Sequence, residues 1–446
     1  DKSVNYYVFT QQLKLYQRIL SADNLSEAND LAKQAALLIT LGAQQIKIKE
    51  LSYKLYQASL TGAGELGPLY ENLFEELKKL VEQEKQYNAY LSDLNLELYP
   101  EKEKTIWKQN IEETRSSLKN TSQLTNFLSV FSQLLLTTDR SNVLLLIQDS
   151  NELRATGGFL SEAILLGFNR AKLIDQQVFD INELGERTYG NISANQEIQD
   201  LLGEKKLFLH DSNWTADFTK SSQDILWFVE QATGSKIDLI LALNTKTIQQ
   251  LIAVLGKLEP SDGDEINWEN YSKKIIEDTS SDNTKSKSWQ IAKLLLERIN
   301  NLSPEELIAF NQVLLKDLAQ KEAFLYSSQK SLQEIIEFNT WAGKTQAPAC
   351  PIEFKQAPCL LDSIFQVALN VGFNKVNSQI EENIEHNIGI GQKFIRHKRK
   401  ININNSSFEE RWPLGTYKAY YKFYLPKSAL VEKIEFAKNI LNAAEI

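Results

Sequence analysis

The chain is poor in the residues that usually announce chemistry. Its 446 residues hold no methionine, two cysteines and three histidines, His210, His386 and His397. The histidines form no HExxH pair and no GxSxG elbow occurs, which sets aside the common zinc-protease and α/β-hydrolase signatures. No CxxC and no second cysteine pair is present, so neither a zinc site nor a thioredoxin-type centre is expected. Apolar runs such as Leu134–Leu136 fall far short of the roughly 18 residues that a membrane helix needs. Net basic charge is also missing: 49 Lys and Arg face 58 Asp and Glu, and the balance of −9 opposes global attraction to nucleic acid or an anionic bilayer. Any anion site must be local.

With 42% hydrophobic and 24% charged residues, the chain can bury a sizeable core, divided into two or three domains. It opens at Asp1, not at a start methionine, which leaves room for a signal or anchor removed ahead of it. The two cysteines, Cys350 and Cys359, flank a Pro-punctuated loop of eight residues. Such a spacer suits a local disulfide and an oxidising compartment; the alternative is two unrelated buried thiols.

Residues 1–137 read as a helical bundle or stalk. Leu69, Leu73, Leu77 and Leu80 recur at three-to-four spacing, as do Leu41, Ile48, Leu51 and Leu55. Gly62 to Pro68 and Pro100 mark the breaks. Residues 138–345 read as a central α/β domain with a helical insert. Asn142–Ile147 is a strand covered on both faces, and 161–168 and 172–179 form a hairpin about Asn169 and Arg170. Helices at 222–232 and 245–255 flank a buried strand at 237–243, and helices are expected from Trp289 to about Trp341. Residues 346–446 hold the cysteine loop and a β-rich part, with strands at 385–390 and 395–403 and alternation from Tyr417 to Leu425.

Two segments concentrate polar residues beside these elements, Gln148 to Phe159 and Asp211 to Phe218. In open α/β sheets the ligand crevice lies beyond the carboxyl ends of the strands, so the first is a candidate site wall. A capped, hydrogen-bonded loop is the plain alternative. The run Glu152-Leu153-Arg154-Ala155-Thr156-Gly157-Gly158-Phe159 resembles the ELRPTGGF signature of the family called domain of unknown function 4012, and Asp211 to Phe218 resembles its D-x-NW-x-PDF box. Thr233 to Asp238 is similar to its TG-x-x-(V/I)D strand entry, and Cys359 with Asn370 to Asn377 resembles its C-terminal C...NVG-x-NK-x-N motif. Ala155 and Ala216 stand where that family usually has proline.

The resemblance implies an anchored bacterial protein facing outward at the cell surface, with a fold similar to the LytR-CpsA-Psr phosphotransferases, which move glycopolymers from polyprenyl pyrophosphate to the cell wall. In those enzymes arginines hold the pyrophosphate and an acidic residue helps hold Mg²⁺. Here Arg154 can stand in their first box and Asp180 in the second, without its neighbouring arginine; Lys285, Lys287 and Gln290 are the nearest offering for the third. The catalytic candidates are therefore Arg154, Asp180, Asp211 and Asp217, with Mg²⁺ if the transferase reading holds. The ligand-binding candidates are Asn151, Glu152, Gly157, Gly158, Asn213, Trp214 and Lys220. The arginine deficit favours a module that binds a cell-wall glycopolymer or a polyprenyl-linked lipid over a complete transferase. Gly343-Lys344-Thr345 ends like a phosphate-binding loop, but Phe338 occupies the place of its first glycine. The basic cluster Lys393, Arg396, Lys398, Arg399 and Lys400 reads as charge that protects an exposed strand edge, the alternative being contact with an anionic wall polymer.

Overall fold

The computed structural model describes residues 25–61, 66–94, 96–98, 101–136, 139–170, 172–188, 192–260, 263–278, 286–345, 362–391, 394–407, 411–436 and 439–442. Cys350 and Cys359, and with them the expected disulfide, lie outside the described residues. So does most of the polar loop at 278–283.

Three long helices come first: α1 (Leu25–Thr61), α2 (Leu66–Ser92) and α3 (Glu101–Leu135). α2 packs against both neighbours, and the leucine stripe becomes the seam, with Leu73, Leu77 and Leu80 fully buried beside Leu41, Ile48 and Trp107. The last turns of α3 leave this seam. Phe127, Val130 and Leu134 pack instead into the core of the following domain, so bundle and sheet share a helix.

The central sheet has five strands, β1 (Ser141–Asp149), β2 (Phe159–Asn169), β3 (Lys172–Asp180), β4 (Leu239–Asn244) and β5 (Ala323–Ser327), in the order β3-β2-β1-β4-β5. Only β1 and β4 run parallel; the other pairings are antiparallel, giving a mixed sheet. β1 is buried on both faces because its side chains alternate between two cores. Val143 and Ile147 point to one, Leu144 and Leu146 to the other. The short helices α4 (Ile181–Glu186) and α5 (Gln196–Leu202), with α6 (Phe218–Thr233), contribute to the second core. α7 (Thr245–Leu255), α8 (Tyr271–Ile276), α9 (Lys287–Ile299), α10 (Pro304–Gln320) and α11 (Lys330–Phe338) contribute to the first.

The helices expected from Trp289 to Trp341 are interrupted by β5. Its five residues are all buried, and so short an apolar run carries no period that separates a strand from a buried helical turn. The C-terminal strands pair locally: β6 (Phe365–Asn370) with β9 (Ala419–Tyr424), β7 (Ile380–Ile390) with β8 (Ile395–Asn405), and β10 (Lys433–Phe436) with β11 (Asn439–Asn442). Val367 and Leu369 of β6 enter the second core, which fastens this part to the central sheet.

Candidate functional site

The Arg154 loop begins where β1 ends. The Asp149 carboxylate accepts the backbone N–H of Asn151 at 2.9 Å and its side-chain amide at 2.7 Å, turning the chain sharply. Gly157 N–H donates to the Arg154 carbonyl at 2.9 Å and Phe159 N–H to that of Glu152 at 2.8 Å, which closes the loop and starts β2. Arg154 lies inside it, 1% exposed. Its Nη2 meets Glu152 Oε1 at 3.0 Å, Nε meets Asp211 Oδ1 at 3.4 Å, and Nη1 donates to the Asn370 carbonyl at 2.9 Å. The ring of Phe159 lies 5.2 Å from the guanidinium carbon. Burial pushes upward at both carboxyl groups. At Glu152 burial outweighs the pull of Arg154 and the net shift is upward; at Asp211 the His210 hydrogen bond and the Arg154 charge together win, and it shifts down.

The Asp211 to Phe218 box lies directly against this loop. The Asn213 side-chain amide is shared among Gly158 O at 2.8 Å, Thr156 Oγ1 at 2.9 Å and Gln148 Oε1 at 2.9 Å. Trp214 is 2% exposed, so it offers no open platform for a sugar ring. Its indole N–H donates to Glu197 at 3.0 Å, and Lys422 of β9 reaches over its ring at 5.6 Å while pairing with the same Glu197. Asp217 caps α6, accepting Thr219 N–H at 3.1 Å, and Lys220 is exposed on that helix.

The third wall is a segment quoted above for its motif but not as a site, Asn370 to Asn377. Asn370 N–H donates to the Leu153 carbonyl at 2.9 Å and Asn377 N–H to that of Asn151 at 3.1 Å, while the Asn377 side chain accepts Leu153 N–H at 3.0 Å. The Lys375 ammonium meets Asp149 at 3.2 Å and the Ile275 carbonyl at 2.9 Å. Strand-like backbone pairing plus buried ion pairs make the three motifs one lock between the central domain and the C-terminal part. Asparagines carry it because each side chain both donates and accepts.

Asp180 is not in that lock. It caps α4, accepting Asn182 N–H at 2.8 Å, and pairs in register with Glu162, whose side chain shares the face of Ile164 and Ile147. Asp180, Asp211 and Asp217 do not fit a magnesium cage. Asp180 lies on another face of the sheet, and all three carboxylates already accept N–H donors of the protein. Among the described residues no group of three or more His, Cys, Asp or Glu is arranged to hold a metal.

Glu162 was missed as a candidate. It is fully buried, accepts Ser286 Oγ at 3.1 Å and leaves its second oxygen without a partner among the described residues. Burial, reinforced by the nearby Asp180 and Asp149, pushes its pKa up to about 8, so it is protonated at neutral pH. A single acid in an apolar strand gives no sequence signal of this.

A second feature lies at the opposite end of the sheet, where the helical bundle meets β2, β3 and α10. A cavity of about 1170 Å³ opens there, lined by Tyr53, Phe127, Leu166, Phe168, Phe310 and Leu315 among others. Register places Phe168 beside Ser141, at the start of β1, whereas Arg154 follows its end. The apolar space is therefore not beside Arg154. Tyr56 pins its rim, donating to the Ile299 carbonyl at 2.5 Å and accepting Leu302 N–H at 2.8 Å.

Residues 139–279 match the model of the family described as "Protein of unknown function (DUF4012)", which supports the resemblance read from the Glu152 to Phe159 run. No curated protein matches the chain. Among solved structures, the X-ray structure of the Lin1025 protein from Listeria innocua is similar at 9% identity over 59% of this chain and 92% of that one, with a TM-score of 0.25. So slight a likeness carries no argument about fold or function. Among the described residues no helix is long and apolar enough to cross a membrane.

Proposed function

We propose that the chain is the water-facing part of an anchored, extracytoplasmic envelope protein. In this reading it is a binding module that takes the apolar chain of a polyprenyl-class lipid between its helical bundle and its α/β domain. The cavity carries this reading. At about 1170 Å³ it exceeds the roughly 300–1,000 Å³ of ordinary small-molecule pockets, and its aromatic and aliphatic lining suits a long apolar chain. Lys119 and Lys316 stand among the lining residues and suit an anionic headgroup. The rival transferase with a LytR-CpsA-Psr-like fold would need a guanidinium open to pyrophosphate. Arg154 is instead engaged at each nitrogen by Glu152, Asp211 and Asn370, which favours binding over transfer. Burial of Trp214 likewise favours lipid over glycan.

Mass spectrometry of an organic extract of the purified protein tests this. Retained polyprenyl phosphate is the expected result. A lipid-free extract, together with no uptake of added polyprenyl phosphate, would overturn the proposal.

A further inference from the structure

The β7–β8 hairpin joins two eleven-residue strands, each about 35 Å long at the usual rise per residue, and its eleven-pair register is unbroken. That register gathers the isoleucines but not every charge. Ile384, Ile388, Ile390, Ile395 and Ile401 share one face with His386, His397 and Arg399, while Asn383, Asn387, Arg396, Lys398 and Lys400 share the other. Apolar exposure grows toward the tip, where Ile388 is 56%, Phe394 62% and Ile390 80% exposed. Charge is sorted along the length as well. Residues 386–400 carry five Lys or Arg and no Asp or Glu, in a chain whose net charge is −9. Edge protection alone accounts for the lysines but not for isoleucines and a phenylalanine left in water beside them.

We propose that this hairpin is a docking finger for an anionic lipid surface. Ile390 and Phe394 enter the headgroup boundary while Arg396, Lys398 and Lys400 meet lipid phosphates behind them. A two-stranded ribbon has unpaired backbone groups along both edges, so only the tip side chains go below the headgroups. Apolar tip and basic collar are the pairing that interfacial segments use. The acidic remainder of the chain is repelled by the same surface, which orients the molecule tip first. Arg396 pairs with Glu432 at 3.2 Å and Lys400 with Glu385 at 3.8 Å, but all four groups are exposed and hold little of the local positive field. The proposal is independent of the cavity reading, since it involves none of the cavity residues.

Co-sedimentation of the full chain with phosphatidylcholine vesicles, with and without phosphatidylglycerol, tests it. Binding is expected only with phosphatidylglycerol and should fall with added salt. Each basic residue near such a surface is worth about fivefold, so removing two positive charges, as in Lys398→Ala with Lys400→Ala, should weaken binding roughly 30-fold. Ile390→Ser with Phe394→Ser should abolish it at an unchanged melting temperature, because both side chains are exposed. Wild-type chain that ignores the anionic vesicles, or lysine variants that bind like wild type, would overturn the proposal. A concentration-dependent dimer lost in the Ile390→Ser, Phe394→Ser variant, without vesicle binding, would assign the tip to a second copy and overturn it too.

Discussion

The Arg154 guanidinium donates to the Asn370 carbonyl at 2.9 Å across 216 residues of sequence, and the Asn370 amide returns to the Leu153 carbonyl at 2.9 Å. This doubled contact joins the end of β1 to the end of β6. Removing the arginine would leave the Glu152 and Asp211 carboxylates buried without their cation. Arg154→Ala is therefore expected to cost about 3–5 kcal/mol of stability. Arg154→Lys should restore little, because an ammonium cannot serve three acceptors set around a planar fork. Urea unfolding monitored by circular dichroism is the check, and a variant as stable as wild type would disprove the lock.

The paired glycines of the same loop are there for space. A Cβ on Gly158 would lie 2.6 Å from the backbone carbon of Asp149, and one on Gly157, at φ +111°, would lie 2.2 Å from the Asn244 side chain. Neither neighbour yields easily: the Asp149 atoms are backbone, and Asn244 is buried with its Oδ1 accepting from Gln148 Nε2 at 2.7 Å. Gly158→Ala should thus destabilise by about 3 kcal/mol, the upper end of ordinary overpacking, and lower the protein's midpoint in thermal unfolding. A midpoint equal to wild type would contradict this packing.

Glu162 makes stability depend on pH. Its pKa rises from 4.5 to about 8 on folding, so the folded state keeps a proton that the unfolded chain releases. Stability is undiminished below pH 4.5, falls as the pH climbs to about 8, and levels off above it. The whole loss is on the order of a few kcal/mol. Glu162→Gln keeps an acceptor for Ser286 and cannot ionise. Melting curves across that range should show a flatter pH profile for the variant, which should also be more stable than wild type near pH 8; parallel profiles would refute the assignment.

Leu315 lines the cavity on α10. Leu315→Trp adds bulk where space is free, so the fold should tolerate it at no more than the cost of ordinary overpacking, about 1–3 kcal/mol. Bound lipid per mole of protein, measured by mass spectrometry, should fall. Full lipid loading in the variant would place the lipid elsewhere.

By itself the sequence determined the elements that periodicity and punctuation specify. The leucine stripes of α2, the doubly buried β1, the hairpin at Asn169 and Arg170, and α7 with its bounds at Thr245 and Leu255 were all legible, because local hydrophobic period and turn chemistry act within a few residues. The motif residues were legible as motifs. Their use was not. Arg154 acts as a staple because Asn370, a residue that no local pattern links to it, presents a carbonyl 2.9 Å away. Asp180 could be named beside Asp211, but strand pairing put it with Glu162 instead. β5, the buried acid at Glu162 and the cavity between bundle and sheet likewise depend on which faces meet. Such choices are made by long-range packing, where each contact depends on several distant segments at once, and only the tertiary structure decided them.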